Sequence, residues 1–197
     1  MRRIFHAMEH SLPDQPKTLG ADLRALRKAR GLTLADLSER LGRSVGWLSQ
    51  VERDKSDLSI TDLRKLAGML DVPVSMVFRH DAAPVHEAGY IVRRSARRPI
   101  GASIDGLAEE LLSPDLTDDF EMVHSTFQPG SKITEAVIRP TQEVAYLISG
   151  QLDIEIGGHL HTIQPGDSFR IRGEAFRWAN PYDAPAVAIW VIAPPVY

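Results

Sequence analysis

Side chains suited to contacting nucleic acid cluster between residues 43 and 55. Arg43, Arg53 and Lys55 are cations that can pair with phosphate, and Gln50 carries an amide that can bond bidentately to an adenine edge. The chain has no cysteine, which excludes thiolate nucleophiles, disulfides and Cys-based zinc sites. We assign no catalytic residue and expect no cofactor.

Leucines at helical spacing place these side chains on two helices joined by a tight turn. Leu37 and Leu41 lie on one predicted helix, Leu48 and Val51 lie on the next, and Gly42 supplies the positive φ of the turn. Packing of these four apolar residues leaves the other face of the second helix free.

Local capping signals predict five short helices in a compact all-α module over residues 18–79. Thr33 is followed three residues later by Asp36, the spacing of a capping box. Ser44 precedes the second helix of the pair, and either Ser59 or Thr61 begins a fourth helix.

Residues 37–53 resemble the Xre/lambda-repressor family of helix-turn-helix proteins, and the resemblance extends through 59–67 to 72–78. In that family the second helix enters the major groove by its N-terminal turn. The resemblance implies a sequence-specific DNA-binding domain. A protein-interaction module with a solvated basic face is the alternative.

Carried over by position, the resemblance assigns base contacts to Val45, Gly46 and Gln50. It assigns phosphate contacts to four flanking residues: Arg43, Ser44, Arg53 and Lys55. Trp47 stays open between a base contact and a packing or dimer contact. Gly46 has no side chain, so we expect sparse base contacts and some recognition of DNA shape.

The charge of the chain divides between its two parts. Residues 1–80 hold fourteen Lys and Arg against ten Asp and Glu, a net charge of +4, whereas residues 81–197 hold nine against sixteen, a net charge of −7. This asymmetry is typical of a protein in which only the first domain meets phosphate.

Beyond residue 98 the helical spacing gives way to short β-type segments separated by turn signals such as Pro129-Gly130, Gly157-Gly158 and Pro165-Gly166. This pattern predicts a β-sandwich or barrel. Residues 80–98 are interpreted as a linker and an edge strand. The arginine run 93–98 within them is either a charged, solvated sheet edge or an extra phosphate contact.

The spacing of Gly130, Glu143 and Gly150 resembles the first cupin motif, and residues 165–181 resemble the second. In the family, histidines stand at three positions that here hold Ala136, Ile138 and Phe176. These side chains offer no metal-ligating atom, so we expect neither a metal nor the chemistry of a cupin enzyme.

Strand alternation, with Glu143 facing inward as the resemblance implies, predicts an inward-facing set. Its members are Ala136, Ile138, Glu143, Ala145, Phe176 and Trp178. All but Ala145 are candidate ligand-binding residues for a small organic effector, with Glu143 pairing an amine or an amino acid. Alternatively, Ile138 and Phe176 only fill the core of a dimerisation platform, and Glu143 bonds a backbone group or an arginine.

His159 and His161 stand two residues apart beside a glycine pair. On a strand they would share a face, so a surface metal pair is conceivable. Solvated imidazoles at a hairpin tip are the favoured interpretation.

The sequence as a whole predicts an α+β protein of two domains, an N-terminal all-α helix-turn-helix bundle and a C-terminal all-β cupin barrel of the double-stranded β-helix type. The domain prediction is a flexible tail (1–17), the DNA-binding domain (18–79), the linker and edge strand (80–98) and the sensor and dimerisation domain (99–197).

The resemblance of the whole chain is to Xre-type regulators with a cupin sensor. It implies a homodimer that binds double-stranded DNA at an inverted repeat and responds to a small molecule, more as a repressor than as an activator. No apolar signal segment follows the basic N-terminus, so we expect a cytoplasmic protein without membrane contact. The alternatives are a constitutive DNA-binding dimer with an inert barrel and a cupin enzyme fused to a DNA-binding domain.

Overall fold

A computed structural model of the chain describes residues 18–77, 85–87, 89–100, 104–116 and 118–195. These residues form a helical N-terminal bundle and a β-rich C-terminal barrel, which confirms the predicted fold class. No helix among them is both long and apolar enough to cross a membrane. The predicted tail (1–17), Phe78 and residues 80–84 of the predicted linker lie outside the described residues.

The bundle contains five helices within residues 18–77: α1 (Leu19–Ala29), α2 (Leu34–Leu41), α3 (Val45–Val51), α4 (Ile60–Met69) and α5 (Val74–Val77). Leucines from α1 to α4 make up most of its core, and Met76 of α5 is fully buried within it. The helix count matches the number that the apolar spacing predicts.

The helix boundaries follow the capping signals. Thr33 and Asp36 form the predicted capping box at the start of α2, and the hydroxyl of Ser44 accepts the N–H of Trp47 at the start of α3. Ser59, and not Thr61, is the N-cap of α4. Gly42 adopts φ 67° after α2, so the turn to α3 needs a glycine there.

Helix α1 approaches the end of α3 so closely that residue 20 must be glycine. A Cβ atom on Gly20 would collide with the carbonyl oxygen of Val51. The N–H of Gly20 donates to Oδ1 of Asp54 at 3.0 Å, and the hydroxyl of Thr18 donates to Oδ2 of the same carboxylate. Asp54 therefore joins the start of α1 to the segment that follows α3.

A buried ion pair fixes α1 against the C-terminus of α3. Nε and Nη2 of Arg27 donate to the two carboxylate oxygens of Glu52 at 2.5 and 2.9 Å. The remaining Nη1 donates to the carbonyl oxygen of Leu32 at 2.8 Å. Such a bidentate pair sets both distance and angle, so α3 has a defined orientation in the bundle.

Nine strands within the described residues form the barrel: β1 (Arg98–Ile100), β2 (Leu107–Leu111), β3 (Glu121–Phe127), β4 (Gln142–Ser149), β5 (Leu152–Ile156), β6 (His159–Ile163), β7 (Ser168–Ile171), β8 (Phe176–Ala179) and β9 (Ala186–Ala193). Short 3-10 turns at Val85–Glu87 and Arg94–Ala96 precede them. The strands make a six-stranded sheet, ordered β1-β2-β3-β9-β4-β7, and a three-stranded sheet, ordered β6-β5-β8.

The two sheets pack face to face around an apolar core. Along β3, β4 and β9 buried and less buried residues alternate, as expected for sheets with one inward face. Phe127 of the large sheet meets Trp178 of the small sheet edge to face, with ring centroids 4.6 Å apart. The first residue of the barrel sheet is Arg98, so β1 crosses the boundary that the sequence predicts between residues 98 and 99.

Candidate nucleic-acid interface and barrel interior

The exposed face of α3 is the first candidate site. Leu48 and Val51 are buried in the bundle, and this burial turns Val45, Gly46 and Gln50 to the surface. The turn before α3 holds Arg43 and Ser44, both exposed, and the segment after it holds the exposed Arg53 and Lys55. The structure therefore brings all the predicted DNA-contacting residues together on one helix and its two ends.

Arg43 and Trp47 form a small cluster beside this face. The Arg43 guanidinium lies 5.2 Å from the centre of the Trp47 ring and donates to Oδ2 of Asp62 at 2.8 Å. The hydroxyl of Ser59 and then Arg43 lower the pKa of the Asp62 carboxyl below its usual range. Trp47 itself is half-buried and packs against the bundle core, so the predicted packing contact is present.

The cations beyond α3 are less constrained. Nε of Arg53 donates to the carbonyl oxygen of Ser49 at 3.0 Å, at an exposed position. The backbone N–H of Lys55 donates to the carbonyl oxygen of Gln50, which keeps this segment close to the helix. An exposed cation therefore lies at each end of α3, where it can contact phosphate.

Glu143 lies inside the barrel, as predicted. Its side chain is 1% exposed, and its Oε1 accepts the hydroxyl of Thr141 at 2.7 Å. Nη1 of Arg139 lies 3.7 Å from the same oxygen, and its guanidinium lies 5.8 Å from the centre of the Phe176 ring. The alternative that Glu143 pairs with an arginine is thus what the structure contains.

A second carboxylate, Glu109 of β2, faces the same interior. Its Oε1 accepts the hydroxyl of the fully buried Ser125 at 2.8 Å. Burial raises the pKa of the Glu109 carboxyl; the bond from Ser125 and the charge of Arg139 oppose the rise, and the charge of Glu143 adds to it. The two carboxylates therefore belong to one electrostatic cluster.

The inward-facing prediction is wrong for Ala136 and Ile138. Ala136 is exposed and the Ile138 side chain is 70% exposed. The backbone of Val137 exchanges two hydrogen bonds with that of Phe176, at 2.8 and 2.9 Å, and Val137 packs against the core. Because neighbouring residues of an extended chain face opposite sides, inward placement of Val137 turns both of its neighbours outward.

The rest of the predicted inward-facing set is buried in the barrel. Glu143, Ala145, Phe176 and Trp178 are each at most 5% exposed. Burial alone leaves their role in ligand binding a prediction.

The residues at the cupin metal positions do not fit a metal ion. Ala136, Ile138 and Phe176 have no ligating atom, and the inward Oε1 of Glu143 already accepts from Thr141. Within the described ranges no group of three or more His, Asp or Glu side chains could hold a metal. His159 and His161 are exposed on β6, directly after the Gly157-Gly158 turn, which is the hairpin placement favoured above.

The arginine run has partners instead of forming only a solvated edge. Arg93 pairs with Glu87, Arg97 pairs with Glu110 of β2 at 3.0 Å, and Arg98 is the first residue of the edge strand β1. Arg98 therefore lies on an edge strand, as predicted. The Arg93 side chain is solvated, at 61% exposed, whereas those of Arg97 and Arg98 are only 21% and 17% exposed, so the solvated interpretation is wrong for these two.

Sequence reasoning missed three polar residues that face the barrel interior, Glu109, Ser125 and Thr141, and the partly exposed Arg139 beside them. A signal existed for Glu109 because it alternates with Leu107 and Leu111, and strand periodicity places all three on one face. Thr141 and Arg139 precede Glu143 by two and four residues, so strand spacing from Glu143 was the signal for both. Ser125 gave no signal, because its partner Glu109 lies 16 residues away.

We predict that Glu109→Gln flattens the pH dependence of stability. The folded protein keeps the Glu109 proton to a higher pH than the unfolded chain, so its free energy of unfolding falls as pH rises from the ordinary glutamate range toward the raised pKa. The amide removes this fall, which has a slope of up to about 1.4 kcal/mol per pH unit, and its oxygen can still accept from Ser125.

The measurement is urea unfolding of both proteins between roughly pH 4 and 8. Glu110→Gln is the matched control, because the neighbouring carboxylate pairs with Arg97 instead of facing the interior. A Glu109→Gln stability curve that runs parallel to that of the parent protein contradicts the prediction.

Each of the two domains matches a known protein family. Residues 18–77 match the helix-turn-helix domain family, and residues 123–192 match the cupin domain family. The HTH-type transcriptional regulator SutR of Escherichia coli K12 is 25% identical over 156 residues, which are 79% of this chain and 83% of SutR. The immunity repressor protein of Bacillus phage phi105 is 37% identical over 60 residues, 30% of this chain and 42% of that protein.

Among solved structures, the barrel is similar to the cupin domain of an XRE family transcriptional regulator from Enterobacter cloacae. The two are 25% identical, the match covers 46% of this chain and 99% of that one, and the TM-score is 0.40. By the two family matches, the chain joins a helix-turn-helix domain to a cupin domain.

Proposed function

We propose that this protein is a DNA-binding transcription regulator whose cupin barrel binds a small organic effector. The observation that carries the DNA-binding part is the α3 surface, where Val45, Gly46 and Gln50 are exposed between cations at both ends of the helix. A helix presented in this way fits the major groove. Such a protein acts in the cytoplasm, where its DNA is, and it acts without catalysis.

The named relatives support regulation as the role. SutR is called a transcriptional regulator and the phage protein a repressor. The match to the repressor is confined to the helix-turn-helix domain, so it supports DNA binding more than it supports the direction of control. Repression is the direction that we propose, because a bundle and barrel bound at a promoter obstruct it by their size alone.

We propose that two copies join through the outer face of the six-stranded sheet. This outer patch consists of five exposed apolar residues on three adjacent strands: Met122, Val144, Tyr146, Ile148 and Val191. Met122 and Val144 both pair with Val191 in register, so the patch is continuous across β3, β9 and β4. An apolar surface of this kind is typical of an interface, and a second copy offers a patch of the same shape.

A dimer joined in this way carries two α3 helices. Two bundles related by a two-fold axis bind an inverted repeat, and successive major grooves on one face of DNA lie about 34 Å apart. The operator that we propose therefore has two half-sites separated by about one helical turn or a multiple of it.

The interior of the barrel supports a ligand with a positively charged group. Glu109 and Glu143 supply two inward carboxylates, and the guanidinium of Arg139 balances only one of them. Phe176 and Trp178 add buried aromatic surface. An amine or an amino acid suits this combination, because its ammonium group would pair with a carboxylate while its carbon skeleton contacts the rings.

A constitutive DNA-binding dimer with an inert barrel is the second candidate. It is favoured by the pairing of Glu143, which already has Thr141 and Arg139 as partners without any ligand. A carboxylate with such partners gains less from an incoming amine than an unpaired one.

We predict that Gln50→Ala relaxes base preference. Loss of a bidentate contact removes about 1–3 kcal/mol of discrimination at one base pair, which is roughly a 5- to 150-fold change. The measurement is selection from random-sequence DNA followed by competition binding at fixed salt.

The comparison variant is Arg53→Ala, which we expect to weaken binding to all sequences alike. It should also reduce the slope of log affinity against log salt concentration by about one. If Gln50→Ala keeps the full base preference, the assignment of the α3 face is wrong.

We predict that Tyr146→Glu converts the dimer into a monomer, because a charge at the centre of the outer patch would be buried without a partner. Analytical ultracentrifugation measures the change in mass. Leu160→Glu is the control, since Leu160 is also a large, exposed hydrophobic residue but lies on β6 of the other sheet. A dimer that survives Tyr146→Glu and dissociates with Leu160→Glu would assign the interface to the small sheet.

We predict that an amine or an amino acid raises the melting temperature of the protein, because a ligand that binds only the folded barrel stabilises it by about 2.7 kcal/mol at 100 times its Kd. The measurement is a thermal-shift screen against amines, amino acids and small carboxylates. Glu143→Gln should abolish the shift and Ile138→Ala, on the outside, should keep it. If no compound in the screen raises the melting temperature, the inert barrel is favoured.

A further inference from the structure

One arginine of the barrel sheet reaches into the helical bundle. Arg98 is the first residue of β1 and pairs in register with Leu111 of β2. Its Nη2 donates to Oδ2 of Asp22 in α1 at 2.8 Å, and its Nη1 donates to the carbonyl oxygen of Met76 in α5 at 3.1 Å. A single guanidinium thus joins the barrel to two helices of the DNA-binding bundle.

This contact is shielded from water. The side chain of Arg98 is 17% exposed and that of Asp22 is 6% exposed. A pair in such a setting is weakly screened by salt, and the planar guanidinium fixes direction as well as distance. The contact therefore restrains the orientation of the bundle on the barrel, together with the packing of β1 against α5.

The neighbouring arginine makes no such connection. Arg97 donates to Oε2 of Glu110 at 3.0 Å, and Glu110 belongs to β2 of the same sheet. Two adjacent arginines thus have different roles, because one holds the sheet edge together and the other holds the two domains together. Arg97 is therefore a matched control for Arg98.

We propose that Arg98 is a specificity-determining residue that fixes the spacing of the two half-sites which the dimer accepts. This inference rests on the proposed function, in which two bundles of one dimer bind one inverted repeat. When each bundle is held rigidly on its barrel, the two α3 helices keep one separation and one relative rotation. Without the contact, bundle and barrel are joined only by the intervening chain and by the packing of β1 against α5, which leaves several separations accessible.

The test is selection of binding sites from random-sequence DNA by the full-length protein, Arg98→Ala and Arg97→Ala. We expect the parent protein and Arg97→Ala to enrich pairs of half-sites at a single spacing. Arg98→Ala should enrich the same half-site sequence at several spacings. Its affinity for the best-spaced pair should fall about tenfold or more, because the second bundle then binds at a lower effective concentration.

Affinity for a single half-site serves as the folding check, and it should be the same in all three proteins because the α3 surface is untouched. If Arg98→Ala does not fold, Arg98→Lys takes its place, since an ammonium keeps the charge but cannot present the planar pair of donors; the same broadening is expected.

The outcomes separate the two proposals. An Arg98 variant that enriches the parent protein's single spacing overturns the role of Arg98 and leaves DNA binding intact. Several spacings in the parent selection overturn it as well. Failure of the parent protein to enrich any DNA overturns the proposed function and, with it, this inference.

Discussion

Burial of one face of each element is the constraint on which the remaining structure depends. In α3 the burial of Leu48 and Val51 leaves Val45, Gly46 and Gln50 no place except the surface. In β4 the burial of Ala145 and Leu147 turns the alternate, apolar residues of the strand to the outside. The recognition surface and the outer patch are therefore two results of one requirement, that apolar side chains leave water on the inward side.

The polar cluster inside the barrel imposes a second constraint, the compensation of buried charge. Burial of a carboxylate costs free energy unless hydrogen bonds or a counter-charge offset it. Glu143 has Thr141 and Arg139 for this purpose, whereas Glu109 has the single hydroxyl of Ser125 and a raised pKa. Of the two carboxylates, Glu109 is thus the less compensated one.

Buried ion pairs also set the orientation of the helices and of the two domains. Arg27 with Glu52 orients α3 inside the bundle, and Arg98 with Asp22 orients the bundle on the barrel. Each pair is largely shielded from water. Its planar guanidinium fixes the relative orientation of the two elements that it joins, in addition to attracting them. Together they connect the surface of α3 to the sheet whose second strand, β2, carries Glu109 into the barrel interior.

The sequence by itself determined the features that depend on neighbouring residues: the five helices, the capping box of Thr33, the glycine turn at Gly42 and the exposed face of α3. It also determined that three of the cupin metal positions hold side chains without a ligating atom, Ala136, Ile138 and Phe176. Only the tertiary structure decided which of Val137 and Ile138 enters the barrel, because both are apolar and alternation fixes a period but not a phase. It alone brought Arg98 to Asp22, 76 residues away, since pairing over such a distance depends on how the two domains meet and leaves no local pattern in the chain.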